Sequence, residues 1–167
     1  MAEPKRIWWA RRRKLCALER PGGGGRSHRP ERREAEIEYL KDAGVRVVIS
    51  LMQTRHNIDA YEQAGLEAIH LPVEEDLDGL LEAVEVVRRE TRKPGAVAIH
   101  ANRYTDFVAA VCAKHLLDLR GVPVQGSLER AIDTGLDVTQ RAAELLEADP
   151  DWLMALPDSP SGAPAYF

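Results

Sequence analysis

No stretch of this 167-residue chain holds the roughly 18 successive apolar residues that a bilayer-spanning helix needs, so no such span is expected. Cysteine is almost absent. Cys16 and Cys112 are too few for a disulfide framework and sit in no Cys/His spacing that would hold zinc. Both thiols therefore read as reduced and structural, and neither metal nor cofactor is expected. The opening stretch, MAEPKRIWWARRRKL, has no apolar core of a secretory signal, which predicts a cytoplasmic protein. Four glycines follow Pro21, but no Lys-Ser/Thr pair stands after them in Walker spacing. PGGGG therefore reads as a flexible loop and not as a phosphate cradle.

What is present is a chain of ordinary globular composition, 44% hydrophobic and 30% charged. It is long enough to bury a sizeable core. The expectation is one domain over residues 1–150, followed by a Pro/Gly/Ser-rich tail over residues 151–167. The formal charge of -4 is unevenly spread: residues 1–34 hold 11 Lys/Arg against 4 Glu. Such a basic head suits nucleic acid or an acidic partner, or else contact with the chain's own acidic remainder.

Helical periodicity runs from Pro30 to Ala43, with Ile37, Leu40 and Ala43 on one face and Gly44 as the stop. VRVVISL (45–51) is a β-branched buried strand. Residues 56–64 predict a short helix closed by Gly65. LEAIHLPV (66–73) is a second strand, ended by Pro72. Leu77, Leu80, Leu81, Val84 and Val87 mark an amphipathic helix to Arg92. Ala96-Val97-Ala98-Ile99 leads through His100 into a polar loop, and a helix follows from about Thr105 to Leu119. Two further helices are expected at Pro123–Ala131 and Val138–Ala148. Strands alternating with helices predict an α/β fold with a mainly parallel sheet of four or five strands, helices on both faces. Ligands of such sheets sit beyond the carboxyl ends of the strands, so the loops after Ser50, His70 and His100 should share one cleft.

Several segments taken in order resemble the cysteine-dependent protein tyrosine phosphatase superfamily, in its small atypical dual-specificity branch. WWARRRKLCALERP is similar to that branch's opening strand pair. EIEYLKDAGVRVVISL resembles its helix, glycine turn and strand ending in Ser-Leu. GLEAIHLPV resembles the strand before the general-acid loop, and AVAIHANRYTDF stands where the family has His-Cys, five residues and Arg. The resemblance implies the family's fold but not its chemistry. The nucleophilic Cys falls on Ala101, and a methyl group cannot attack phosphorus. The phosphate-gripping Arg falls on Phe107. Glycines that turn backbone N–H groups inward fall on Tyr104 and Asp106, and the latter's charge repels phosphate. The general-acid Asp falls on Val73, with Glu74, Glu75 and Asp76 close by.

The resemblance thus implies a pseudophosphatase that binds a protein or peptide partner without turnover. The expected contact surface is the degenerate loop and its cleft: His100, Ala101, Asn102, Arg103, Tyr104, Thr105, Asp106 and Phe107, with His70 and Val73. Two alternatives stand beside it. In one, replaced chemistry uses His70 and His100, expected to end neighbouring strands, with Glu74, Glu75 and Asp106 as further metal donors. In the other, the basic head makes a nucleic-acid module. Cys112, about three turns down the helix that follows the loop, reads as a small buried residue. Thr105 reads as a helix N-cap, and His56 and His115 as ordinary, partly exposed residues.

Overall fold

The computed structural model describes residues 7–24, 28–101 and 106–120. The elements are β1 (Ile7–Arg11), β2 (Leu15–Glu19), α1 (Pro30–Asp42), β3 (Val45–Ser50), α2 (Ile58–Gln63), β4 (Glu67–His70), α3 (Leu77–Thr91), β5 (Ala96–Ala101) and α4 (Asp106–Arg120). The expected helices at 123–131 and 138–148, and the tail, lie outside the described residues. One five-stranded sheet has the order β1-β2-β5-β3-β4. The β1–β2 hairpin is antiparallel, and the other three pairings are parallel. All six residues of β5 are buried. A strand covered on both faces needs the near-continuous apolar run that Ala96–Ile99 supplies.

Local signals account for the element ends. Pro30 opens α1, where its missing N–H costs nothing, and Gly44 at φ 89° closes it. Asp76 caps α3 by accepting a hydrogen bond from the Gly79 N–H at 2.8 Å. Gly79 itself is obligatory, since a Cβ there would stand 1.9 Å from the Glu74 carbonyl oxygen. β4 stops at His70, before the proline, because only its first four residues pair with β3.

The structure corrects three of the sequence expectations here. Leu81 does not face the core; it is 40% exposed, and Ala83 and Val86 are buried instead. His115 is buried, 2% exposed, because α4 packs on the sheet and brings its Nε2 within 3.2 Å of the Arg11 guanidinium. The glycine segment is no loose loop as far as Gly24. Pro21 to Gly24 are buried, and Gly22 and Gly23 take φ of 95° and 103°. The N–H groups of Gly22 and Gly24 donate to the carboxylates of Glu36 and Glu19, each at 2.9 Å. A Cβ on Gly22 would meet the His28 ring at 2.6 Å.

The described residues of the basic head form part of the framework. The head supplies β1 and β2, and its cations pair close by: Arg32 with Glu36 at 2.9 Å and Arg33 with Glu34 at 3.0 Å. Lys14 reaches the carbonyls of Lys93 and Gly95. Trp8 is 3% exposed in the core. Replacing it by alanine is expected to cost about 3–5 kcal/mol, and deleting residues 1–20, which removes two of five strands, to abolish cooperative unfolding. Urea denaturation followed by circular dichroism checks both. A truncated chain with an unchanged midpoint would make this segment a detachable arm.

Candidate functional site

Parallel pairing brings three strand ends to one edge of the sheet. In register, Ser50 of β3 lies between His100 of β5 and His70 of β4. His70 and His100 therefore do not end neighbouring strands, as the sequence suggested; β3 separates them because it pairs with both. The backbone continues the ladder, with Leu51 N–H donating to the His100 carbonyl and Leu71 N–H to that of Ser50. On the other side of β5, Glu19 at the end of β2 stands beside Ala101.

His100 is fully buried, with both ring nitrogens engaged. Nδ1 lies 2.9 Å from the Ala101 carbonyl, which can only accept, so Nδ1 carries the proton. Nε2 then accepts from the Tyr61 hydroxyl at 2.8 Å, the two rings meeting edge-on at 5.8 Å. Tyr61 comes from α2. Asn57, held in the left-handed region at φ 73°, reaches the same hydroxyl at 3.5 Å and the Pro21 carbonyl at 2.9 Å. Arg33 of α1 donates to the Asn57 side-chain oxygen at 3.3 Å. A line of polar contacts thus joins α1, α2 and the glycine turn to the base of the loop after β5. Sequence reading missed Asn57 and Tyr61. Their spacing of four gives a local hint, but their target lies 39 residues away.

A second group flanks this line. Arg20 donates through Nε to the Gly23 carbonyl and stands 3.2 Å from His56 Nδ1. The rings of His28 and His56 meet edge-on at 4.5 Å. Partial burial and the Arg20 charge hold both imidazoles below their ordinary pKa.

The remaining sequence candidates divide clearly. Ala101 closes β5 and is buried, as are Val73 and Phe107, the last at 3% exposure. Val73, Ala101 and Phe107, together with His100, therefore lie in the core, with little of their surface exposed. His70, half-buried, donates from Nε2 to the Met52 carbonyl at 2.7 Å. Of the acids after Val73, Asp76 is committed to its cap. Asn102, Arg103, Tyr104 and Thr105 lie outside the described residues, as does the side chain of Asp106, the first residue of α4.

Among the described residues, no three His, Cys, Asp or Glu side chains form a metal-holding group. Cys16 and Cys112 are free and buried. Burial pushes the Cys112 thiol up to about 12, and raises that of Cys16 further with Cys112 close by. A buried, protonated thiol is inert. Cys112 is the seventh residue of α4, under two turns in rather than three.

Burial, reinforced by the Arg20 charge, pushes His100 down to about 4, against the opposing bond to the Ala101 carbonyl. Burial and Arg11 do the same for His115. A histidine near 6.5 when unfolded and near 4 when folded gives the unfolded chain more protons in between. The stability this contributes is present above pH 6.5 and falls as pH drops towards 4, by about 3 kcal/mol for fully buried His100. Urea midpoints measured from pH 7 to 4.5 should fall, and the slope should flatten in a His100→Gln variant. An unchanged slope would mean that His100 stays exposed to solvent.

No protein-family model matches the chain, and neither does any curated protein. Solved structures do match. Human DUSP28 is 18% identical with a TM-score of 0.65, covering 92% of this chain and 99% of its own. P. aeruginosa TpbA is 18% identical with a TM-score of 0.66, covering 85% and 86%. Tk-PTP, crystallised in an active form, is 20% identical with a TM-score of 0.66, covering 86% and 95%. Similarity at this level is similarity of architecture, and it agrees with the strand order and element sequence above. The chain has the fold of the protein tyrosine phosphatase superfamily in its small dual-specificity form.

Proposed function

We propose that the chain is a catalytically silent phosphatase fold that acts by binding a protein or peptide partner at the carboxyl end of its sheet. One observation supports the reading: β5 ends His100-Ala101, and the resemblance sets the nucleophilic thiolate at Ala101, whose methyl group cannot attack phosphorus. A similar structure, kinase associated phosphatase, is described with its catalytic-site cysteine substituted, which places a catalytic cysteine in that protein. A TpbA variant is in complex with pTyr. Arg103 and Tyr104 belong to residue types that carry binding energy at interfaces, and a binding role assigns them to the partner.

Purified protein is expected to release no phosphate from p-nitrophenyl phosphate or phosphopeptides above a buffer control. Turnover that persists through purification and disappears in a His100 or Cys112 variant would overturn the reading. A binding role further expects Arg103→Ala with Tyr104→Ala to lose an identified partner while the thermal midpoint stays within 2–3 °C, roughly the span of a surface change.

Restoring the two missing side chains is expected to fail. Ala101→Cys with Phe107→Arg replaces a core aromatic by a cation, a loss of about 3–5 kcal/mol from the aromatic alone. Tyr104 and Asp106 still occupy places where backbone N–H groups must turn towards phosphate. Burst-phase phosphate release per folded molecule is expected only once Tyr104→Gly and Asp106→Gly are added. A double variant with strong activity would show a loop already shaped for phosphate.

A further inference from the structure

Two histidines hold the glycine turn closed, each in a role that only a neutral ring can fill. His28 lies so close to Gly22 that a Cβ there would stand 2.6 Å from its Nε2. That nitrogen is buried and has no hydrogen-bond partner among the described residues. The neighbouring Arg29 N–H donates to the Gly22 carbonyl at 2.8 Å, so ring and backbone fasten the turn at one point. His56 acts from the other side. A guanidinium can only donate, so His56 Nδ1, 3.2 Å from Arg20 Nη1, accepts and carries no proton. Arg20 also donates to the Gly23 carbonyl, which makes His56 a brace for the turn.

A proton undoes both contacts. A charged imidazole bears N–H on both nitrogens, and at His28 Nε2 that donor meets the Gly22 α-carbon and no acceptor. On His56 it sets an N–H against the N–H of Arg20. The groups facing the pair give such a charge little support. Arg20 after β2 and Arg33 of α1 oppose it on either ring, and the rings, edge-on at 4.5 Å, oppose it in each other. Asn57 and the Pro21 carbonyl favour a proton on His28, but by less than burial and the arginines oppose it. The nearby carboxylates are engaged: Glu36 by the Gly22 N–H and Arg32, Glu19 by the Gly24 N–H and Arg32. Tyr61 of α2 and His100 of β5 are bonded to each other. Arg29, Arg55 and Asp59 are exposed.

We propose that His28 and His56 form an acid-sensitive clasp, in which protonation of either ring releases the turn at Arg20–Gly24 from α1 and α2 while the sheet stays folded. Both rings are held below the ordinary histidine pKa, so the closed form is fully favoured above about pH 6.5 and loses ground as pH falls. His100, pushed down to about 4, yields only at lower pH. The turn leaves β2 at Glu19, in register with Ala101, so its release alters one border of the carboxyl end of the sheet. The clasp is independent of whether a partner binds there.

Amide hydrogen exchange, read by NMR on the full chain between about pH 7.5 and pH 5, tests it. Protection factors correct for the pH dependence of free exchange. Those of the Gly22 and Gly24 amides are expected to fall by about tenfold or more. Those of Leu51 and Leu71, bonded to the His100 and Ser50 carbonyls, should hold steady. His28→Phe with His56→Gln keeps a ring on Gly22 and an acceptor for Arg20, and neither new side chain titrates. This double variant is expected to abolish the fall, and the milder His56→Gln alone to lessen it. Protection at Gly22 and Gly24 that does not fall in the unaltered chain would overturn the proposal, as would a fall shared by Leu51 and Leu71. So would a fall that persists in the double variant or is undiminished in His56→Gln, since it would belong to the carboxylates of Glu19 and Glu36.

Discussion

A neutral imidazole governs the carboxyl end of the sheet. His100 has no access to water, and each of its nitrogens is tied to a fixed partner, the Ala101 carbonyl and the Tyr61 hydroxyl. Both contacts require one tautomer, and an added proton would leave a cation in a dry site. The ring therefore fixes where β5 ends and how α2 sits over it. Through Asn57, the same contacts reach α1 and the glycine turn. Buried polar networks of this kind are favourable only when every member is satisfied, which here requires residues from four separate parts of the chain.

What phosphatase chemistry requires and what the fold requires are thus separable. The fold needs the histidine, the covered strand β5 and the helix that follows. It does not need a thiolate, an arginine or an acid. Ala101, Phe107 and Val73 are each buried, and each adds apolar contact to the core.

The fold was legible because its signals are local. β-branched runs, the Gly44 and Gly65 stops and the leucine spacing of α3 predicted elements to within a few residues. The sequence assigns Ala101 to the loop after His100, whereas β5 runs through Ala101. What it hid is tertiary. Leu81 and Val86 exchange places because helical spacing defines a stripe but not which edge of the stripe meets the sheet. His115 reads as a surface residue until Arg11 arrives from a strand 104 residues earlier. Glycines look loose in a sequence, but Gly22 and Gly24 are held by Glu19 and Glu36, carboxylates whose relation to them no periodicity encodes.

The contact between Gly79 and the Glu74 carbonyl bears on movement rather than stability. In that place there is no gap to close: the first turn of α3 and the connection after Val73 touch backbone to side-chain-free backbone. The Asp76 cap ties the same two pieces a second time. Residues 74–79 consequently behave as one stiff bracket mounted on α3. A connection that swings over a bound ligand needs slack at its root, and this one has none. On the α3 side, the carboxyl end of the sheet is bordered by a wall of fixed shape.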